Sequence, residues 1–114
     1  MLNAAIAHEK AKRTMFTVLK REDDVYQLRS RMGRVLSLNL TFYKLAQLPD
    51  AGDRLYFSGH LAAGLAENLC WYKFSAEIGW PSAREPHDFL QNAEEFLIIE
   101  YADGATVLLE EQYG

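Results

Sequence analysis

Cysteine is almost missing from this chain: Cys70 is the only one in 114 residues. A single thiol can make neither an internal disulfide nor a cysteine-based zinc site. A reducing, cytoplasmic setting is therefore expected. Glycine and proline are also scarce, at seven and three residues. With an apolar fraction of 49% and a charged fraction of 25%, this excludes a disordered or low-complexity chain. No apolar run reaches the length of a membrane-spanning helix. The opening run Met1-Leu2-Asn3-Ala4-Ala5-Ile6-Ala7 is broken at Asn3, stops at His8 and follows no basic stretch, so it does not read as a secretory leader.

The usual catalytic motifs are missing too. The glycines at 33, 52, 59, 64, 79, 104 and 114 form no G-x-G-x-x-G or Walker loop. There is no G-x-S-x-G elbow and no H-E-x-x-H pair. His87 stands next to Asp88, but metal binding needs several converging ligands, and adjacent residues on a helix diverge. Asp88 is better read as favouring a helix N-terminus. Cys70 shares a strand face with Tyr72, Phe74 and Ile78, an apolar setting that suits a core thiol better than a nucleophile. The neighbouring pairs Glu94-Glu95 and Glu110-Glu111 point apart on an extended chain and make no acid/base dyad. No catalytic residue, metal site or cofactor is expected, and the reading leans away from an enzyme.

What is present is a lopsided charge. The net charge is −4. Residues 1–34 hold eight basic and four acidic residues, a balance of +4, and the remainder holds four basic and twelve acidic, −8. The basic segment centres on Lys10, Lys12, Arg13, Lys20 and Arg21. An acidic body is a poor general nucleic-acid binder, so this segregation reads first as intramolecular pairing or self-association.

Residues 1–13 are alanine- and lysine-rich and predict a helix too short to stand alone, an appendage to a single domain over 14–114. Residues 14–32 fit either a hairpin with an acidic turn at 21–24 or one helix. The β-branched Thr14, Thr17, Val18 and Val25 favour the hairpin. Three stretches alternate cleanly. Leu36, Leu38, Leu40 and Phe42 oppose Ser37, Asn39 and Thr41. Leu55, Phe57 and Leu61 oppose Tyr56, Ser58 and His60. Cys70, Tyr72, Phe74, Ala76 and Ile78 oppose Trp71, Lys73, Ser75 and Glu77. A period of two marks strands with one buried face. A short helix near 86–93 follows Pro86. At the C-terminus, Asp103-Gly104 between two apolar runs signals a hairpin with a two-residue turn, pairing Ile99 with Leu108 and apolar on both faces.

The expected fold is mainly β (β-rich α+β): a small rolled barrel or sandwich of about six to seven antiparallel strands, OB-like as the first choice, with an open sheet under a helix as the second. Tyr43, Tyr56, His60, Trp71 and Lys73 fall on the less apolar strand faces and could share one surface able to stack on bases, sugars or partner side chains. A second small core under the N-terminal segment would explain the same aromatics. Three functions follow: a non-catalytic binding or regulatory module acting through protein–protein contact or self-association; a single-stranded nucleic-acid-binding barrel; and a small enzyme using His60 or His87 as general base.

Overall fold

A computed structural model describes residues 2–58, 62, 71–80 and 96–112. The short helix expected near 86–93 lies outside them. The elements are α1 (Leu2–Lys12), β1 (Thr14–Glu22), β2 (Val25–Ser30), β3 (Val35–Tyr43), β4 (Arg54–Phe57), β5 (Trp71–Trp80), β6 (Phe96–Glu100) and β7 (Thr106–Glu111). Residues 14–30 form a hairpin, not a helix. Its turn is Asp23-Asp24, with Asp23 in the left-handed region at φ 53°, a conformation that Asp tolerates better than most residues.

All seven strands join one closed ring in the order β1-β2-β3-β5-β7-β6-β4. β1, β2 and β3 are a meander. The chain then crosses to the far side of β1, where β4 pairs antiparallel with it. It returns to β3, where β5 lies parallel. The β6–β7 hairpin fills the gap, β7 against β5 and β6 against β4. The barrel expectation holds, with one correction: the strands are not all antiparallel. A parallel pair needs a long crossover, and here β4 with its flanking segments is that crossover. The ring also has two strands more than the five of an OB barrel.

Alternation sorts each strand between inside and outside. Phe16, Val18, Tyr26, Leu28, Leu36, Leu38, Leu40, Leu55, Phe57, Phe74, Leu97, Ile99, Tyr101 and Leu109 fill the interior. Phe57 meets Phe16 and Phe74 edge-on, with ring centroids 5.7 and 6.3 Å apart. A smaller cluster of Tyr56, Phe96, Ile98 and Leu108, flanked by Met15, lies on the outside, under Ile6 of α1.

The C-terminal hairpin is apolar on both faces, as its sequence suggests, but its register is shifted by one. Ile99 pairs with Val107 and Ile98 with Leu108. The turn is longer than two residues: the Gly104 amide donates to the Tyr101 carbonyl and the Tyr101 amide to Ala105. Gly104 sits at φ 95°, the left-handed residue of a three-residue hairpin loop. The Asp103 carboxylate accepts from the Ala105 amide and holds that turn. One residue of slip exchanges the two faces of a strand. Leu108 thus lies in the outer cluster and Val107 packs against the interior.

Candidate interaction face

The outside of the barrel is treated in two ways. Over β4, β6 and β7 it is covered. α1 brings Ile6, Glu9 and Arg13 down on one side, at a spacing of three and four residues, and all three are buried. The Arg13 guanidinium donates to the Phe96 carbonyl, and its Nε lies 3.9 Å from the Glu9 carboxylate. Burial lowers the Arg13 pKa and Glu9 pulls it back up. Lys10 reaches over the Tyr56 ring, 5.6 Å from its centroid, to Glu100 at 2.5 Å. Arg54, at 3.4 Å, and the Tyr56 hydroxyl, at 3.3 Å, converge on the same carboxylate. The Lys10 hydrogen bond holds Glu100 below the usual carboxylate range, against its partial desolvation.

The basic segment is thus largely engaged within the chain. Lys10 pairs with Glu100, Lys12 and Arg13 with Glu9, and Arg21 with Asp50 at 3.6 Å. Lys20 is exposed on β1.

Over β2, β3 and the start of β5 the outside is open, as far as Ser75, which is buried. Register fixes the rows: Arg29 beside Val35, Gln27 beside Ser37, Val25 beside Asn39 and then Trp71, Thr41 beside Lys73, Tyr43 beside Ser75. Four of these outward side chains are large, apolar and exposed: Val25 (45%), Val35 (50%), Tyr43 (43%) and Trp71 (59%). Trp71 is pinned to the sheet by its indole nitrogen, which donates to Thr41 Oγ1 at 2.7 Å. At one end of the face, the β2–β3 turn holds Arg29, Arg31 and Arg34 around Met32, which is 97% exposed. Its backbone is closed by amides of Gly33 and Ser30 donating to the carbonyls of Ser30 and Arg34. At the other end of β2, beside Leu40 of β3, the β1–β2 turn holds Glu22, Asp23 and Asp24, all exposed, and β3 and β5 run on past it to Tyr43 and Ser75.

The residues suggested as one aromatic surface therefore divide. Tyr43, Trp71 and Lys73 share the open face. Tyr56 does not: it points outward from β4 but is buried under α1, because the helix needs an apolar seat and Tyr56 supplies it with its hydroxyl turned to Glu100. His60 lies outside the described residues, as do Cys70 and His87. Sequence reasoning missed Val25, Val35, Met32 and the arginine turn, and read the acidic turn at 21–24 without placing it beside this face. A signal was there: Val25 and Val35 occupy the polar phase of strands whose other phase, Tyr26-Leu28 and Leu36-Leu38-Leu40, is the core.

A shallow cleft of about 410 Å³ opens elsewhere, lined by Gly52, Arg54, Glu100, Tyr101, Ala102 and Gly104. Its charged groups already satisfy one another. Among the described residues, no group of three or more His, Cys, Asp or Glu could hold a metal ion. No helix among them is long and apolar enough to cross a membrane.

The fold and this face define a class, a small closed seven-stranded barrel with one helix-covered side and one open side. Compared with protein-family models, curated proteins and solved structures, the chain finds no match in any of the three.

Proposed function

We propose that this chain is a non-catalytic binding module whose working surface is the outer face of β2, β3 and β5, and that its partner is a protein. One observation carries the reading: Val25, Val35, Tyr43 and Trp71 are exposed together along one sheet face while the opposite outer cluster is covered. Contiguous exposed apolar surface marks contact sites, and tryptophan, tyrosine and arginine are the residues most enriched at their energetic centres. Among the described residues each strand of the closed ring has a neighbour on both sides, so a partner meets the barrel by a face. Cytoplasmic residence fits the lone Cys70.

Site-specific photo-crosslinking tests this. p-Benzoylphenylalanine in place of Val35 is expected to give protein adducts in the expressing cells, and the same group in place of exposed Ala102 is not. Equal yields at the two sites, or none at either, would refute the reading.

A second reading, single-stranded nucleic-acid binding, is favoured by Trp71, Lys73 and Tyr43 on one face with Arg29 at its end. Aromatic stacking beside cations is how such strands are held. It requires that oligothymidylate quench tryptophan fluorescence at low salt and release it as salt rises. An unchanged signal dismisses it. The histidine-based enzyme reading rests on His60 and His87, both outside the described residues, and gains nothing from the face.

A further inference from the structure

We propose that the open face pairs with a second copy of itself, the two barrels meeting with their β2 strands antiparallel; this rests on the protein-contact reading above. Along β2 the face is acidic at one end and basic at the other, with Val25, Gln27, Ser37 and Val35 between. Glu22 and Asp24 lie at the start of β2, and Arg29 and Arg31 at its finish. Among the described residues none of these four pairs with an opposite charge. β2 is six residues long, so the two charged ends stand roughly 20 Å apart. That is well beyond a screening length of about 8 Å, and within one molecule the ends do not neutralise each other.

The charge pattern selects the geometry. Two identical faces can stack about a two-fold axis running along the strands or across them. An axis along the strands sets Glu22 and Asp24 against the same acids, and arginine against arginine. An axis across the strands, passing the outward Gln27 and Ser37 in mid-face, reverses one sheet over the other. The acidic turn of each copy then lies on the arginine turn of its partner, twice, as an isologous contact demands. Val25 of each copy then lies on the Arg29 side chain of the other, Gln27 and Ser37 meet near the axis, and the charges set direction.

Size sets the strength. Six residues of β2, nine of β3 and the five of β5 paired with it, at about 3.4 Å per residue and about 4.8 Å between strands, offer a footprint on the order of 300 Å² per copy before the turns are added. This is the size of a weak, transient contact. The pair is therefore a weak, reversible dimer, sensitive to salt.

Sedimentation equilibrium of the full chain, from about 10 μM to about 1 mM as a small interface requires, tests this. Wild type is expected to dimerise within this range, less so at about 0.5 M salt, where the screening length falls to a few ångströms. R29E/R31E, acidic at both ends, and E22R/D24R, basic at both, should each raise the dissociation constant at least about tenfold. Mixed, the two variants should form a heterodimer, which a folding defect in either would not produce. A monomer at every concentration overturns the dimer, as does a dimer indifferent to both charge reversals. The Val35 crosslinker then separates the two claims. An adduct of twice the chain mass supports both. An adduct to a different protein overturns self-pairing and leaves the contact reading standing, and no adduct overturns both.

Discussion

The two outer faces of this barrel contain similar residues and serve different ends. Tyr56 and Tyr43, Ile98 and Val35, and Phe96 and Trp71 all sit on outward positions of strands in the same ring. Over β4, β6 and β7 an eleven-residue helix covers them; over β2, β3 and β5 nothing among the described residues does. The difference lies in what surrounds the apolar groups. The covered side has Glu100 to receive Lys10, Arg54 and the Tyr56 hydroxyl, and the Phe96 carbonyl to receive Arg13. Lys10 and the Arg13 terminal nitrogen find partners there, as burial requires, while Arg13 Nε and Glu9 Oε2 face each other at 3.9 Å without a hydrogen bond. The open face has Thr41 to hold Trp71 flat, with Lys73 beside it, and among the described residues Glu22 and Asp24 on one turn and Arg29 and Arg31 at the other make no ion pair. An apolar patch whose polar partners sit nearby is built to be closed within the chain; one whose charges are held apart at its ends is arranged to meet another surface.

Truncating the covered side should cost most. Phe96→Ala removes a ring that is 1% exposed, and about 3–5 kcal/mol of stability is expected to go with it, read by urea unfolding. A loss near zero would mean that α1 is not docked as described. Arg13→Met comes next. It removes the donor to the Phe96 carbonyl and leaves Glu9 with Lys12 as its cation, and about 1–3 kcal/mol is expected to be lost. Smaller still is the share held by Glu100. Its pKa is lowered in the folded chain, so its contribution is full above the ordinary carboxylate value and disappears as pH falls through the lowered one. Glu100→Gln should flatten stability against pH in that acid range and leave its shape above neutrality alone. An unchanged acid limb would mean that the Lys10 contact contributes nothing. At the alkaline end, burial raises Tyr26 and Tyr101 to about 12. Raised acids stabilise below the unfolded value near 10 and lose that contribution as pH climbs from there toward 12. Absorbance titration should show these two phenolates forming last. On the open face, Trp71→Ser should shift stability by no more than about 0.5 kcal/mol.

Much of this architecture is legible in the residues. The alternation in 36–42, 55–57 and 72–76 fixes which side chains enter the barrel, because period two has one apolar phase in each stretch. The apolar residues of 14–32 fit both the strand and the helix period, and the β-branched Thr14, Thr17, Val18 and Val25 favour the hairpin that the chain forms. The parallel β3–β5 pair could not be read, because strand order depends on which edge the chain returns to after Phe57. The C-terminal register was misjudged for a local reason: Asp103-Gly104 fits both a two-residue and a three-residue loop, and the Asp103 side chain on the Ala105 amide accompanies the longer one. The candidate face was half legible. Trp71, Lys73 and Tyr43 follow from strand phase, but Tyr56 has the same phase and is buried, because phase says outward and not whether a helix lies there.

One measurement bears most directly on the division between a structural side and a contact side: urea unfolding and sedimentation of the same V25D/V35D chain. The account predicts unfolding within about 0.5 kcal/mol of wild type, as exposed positions allow, together with loss of self-association across the concentration range. Destabilisation by several kcal/mol would show that this face is packed within the chain, and intact association would show that it is not the surface of contact.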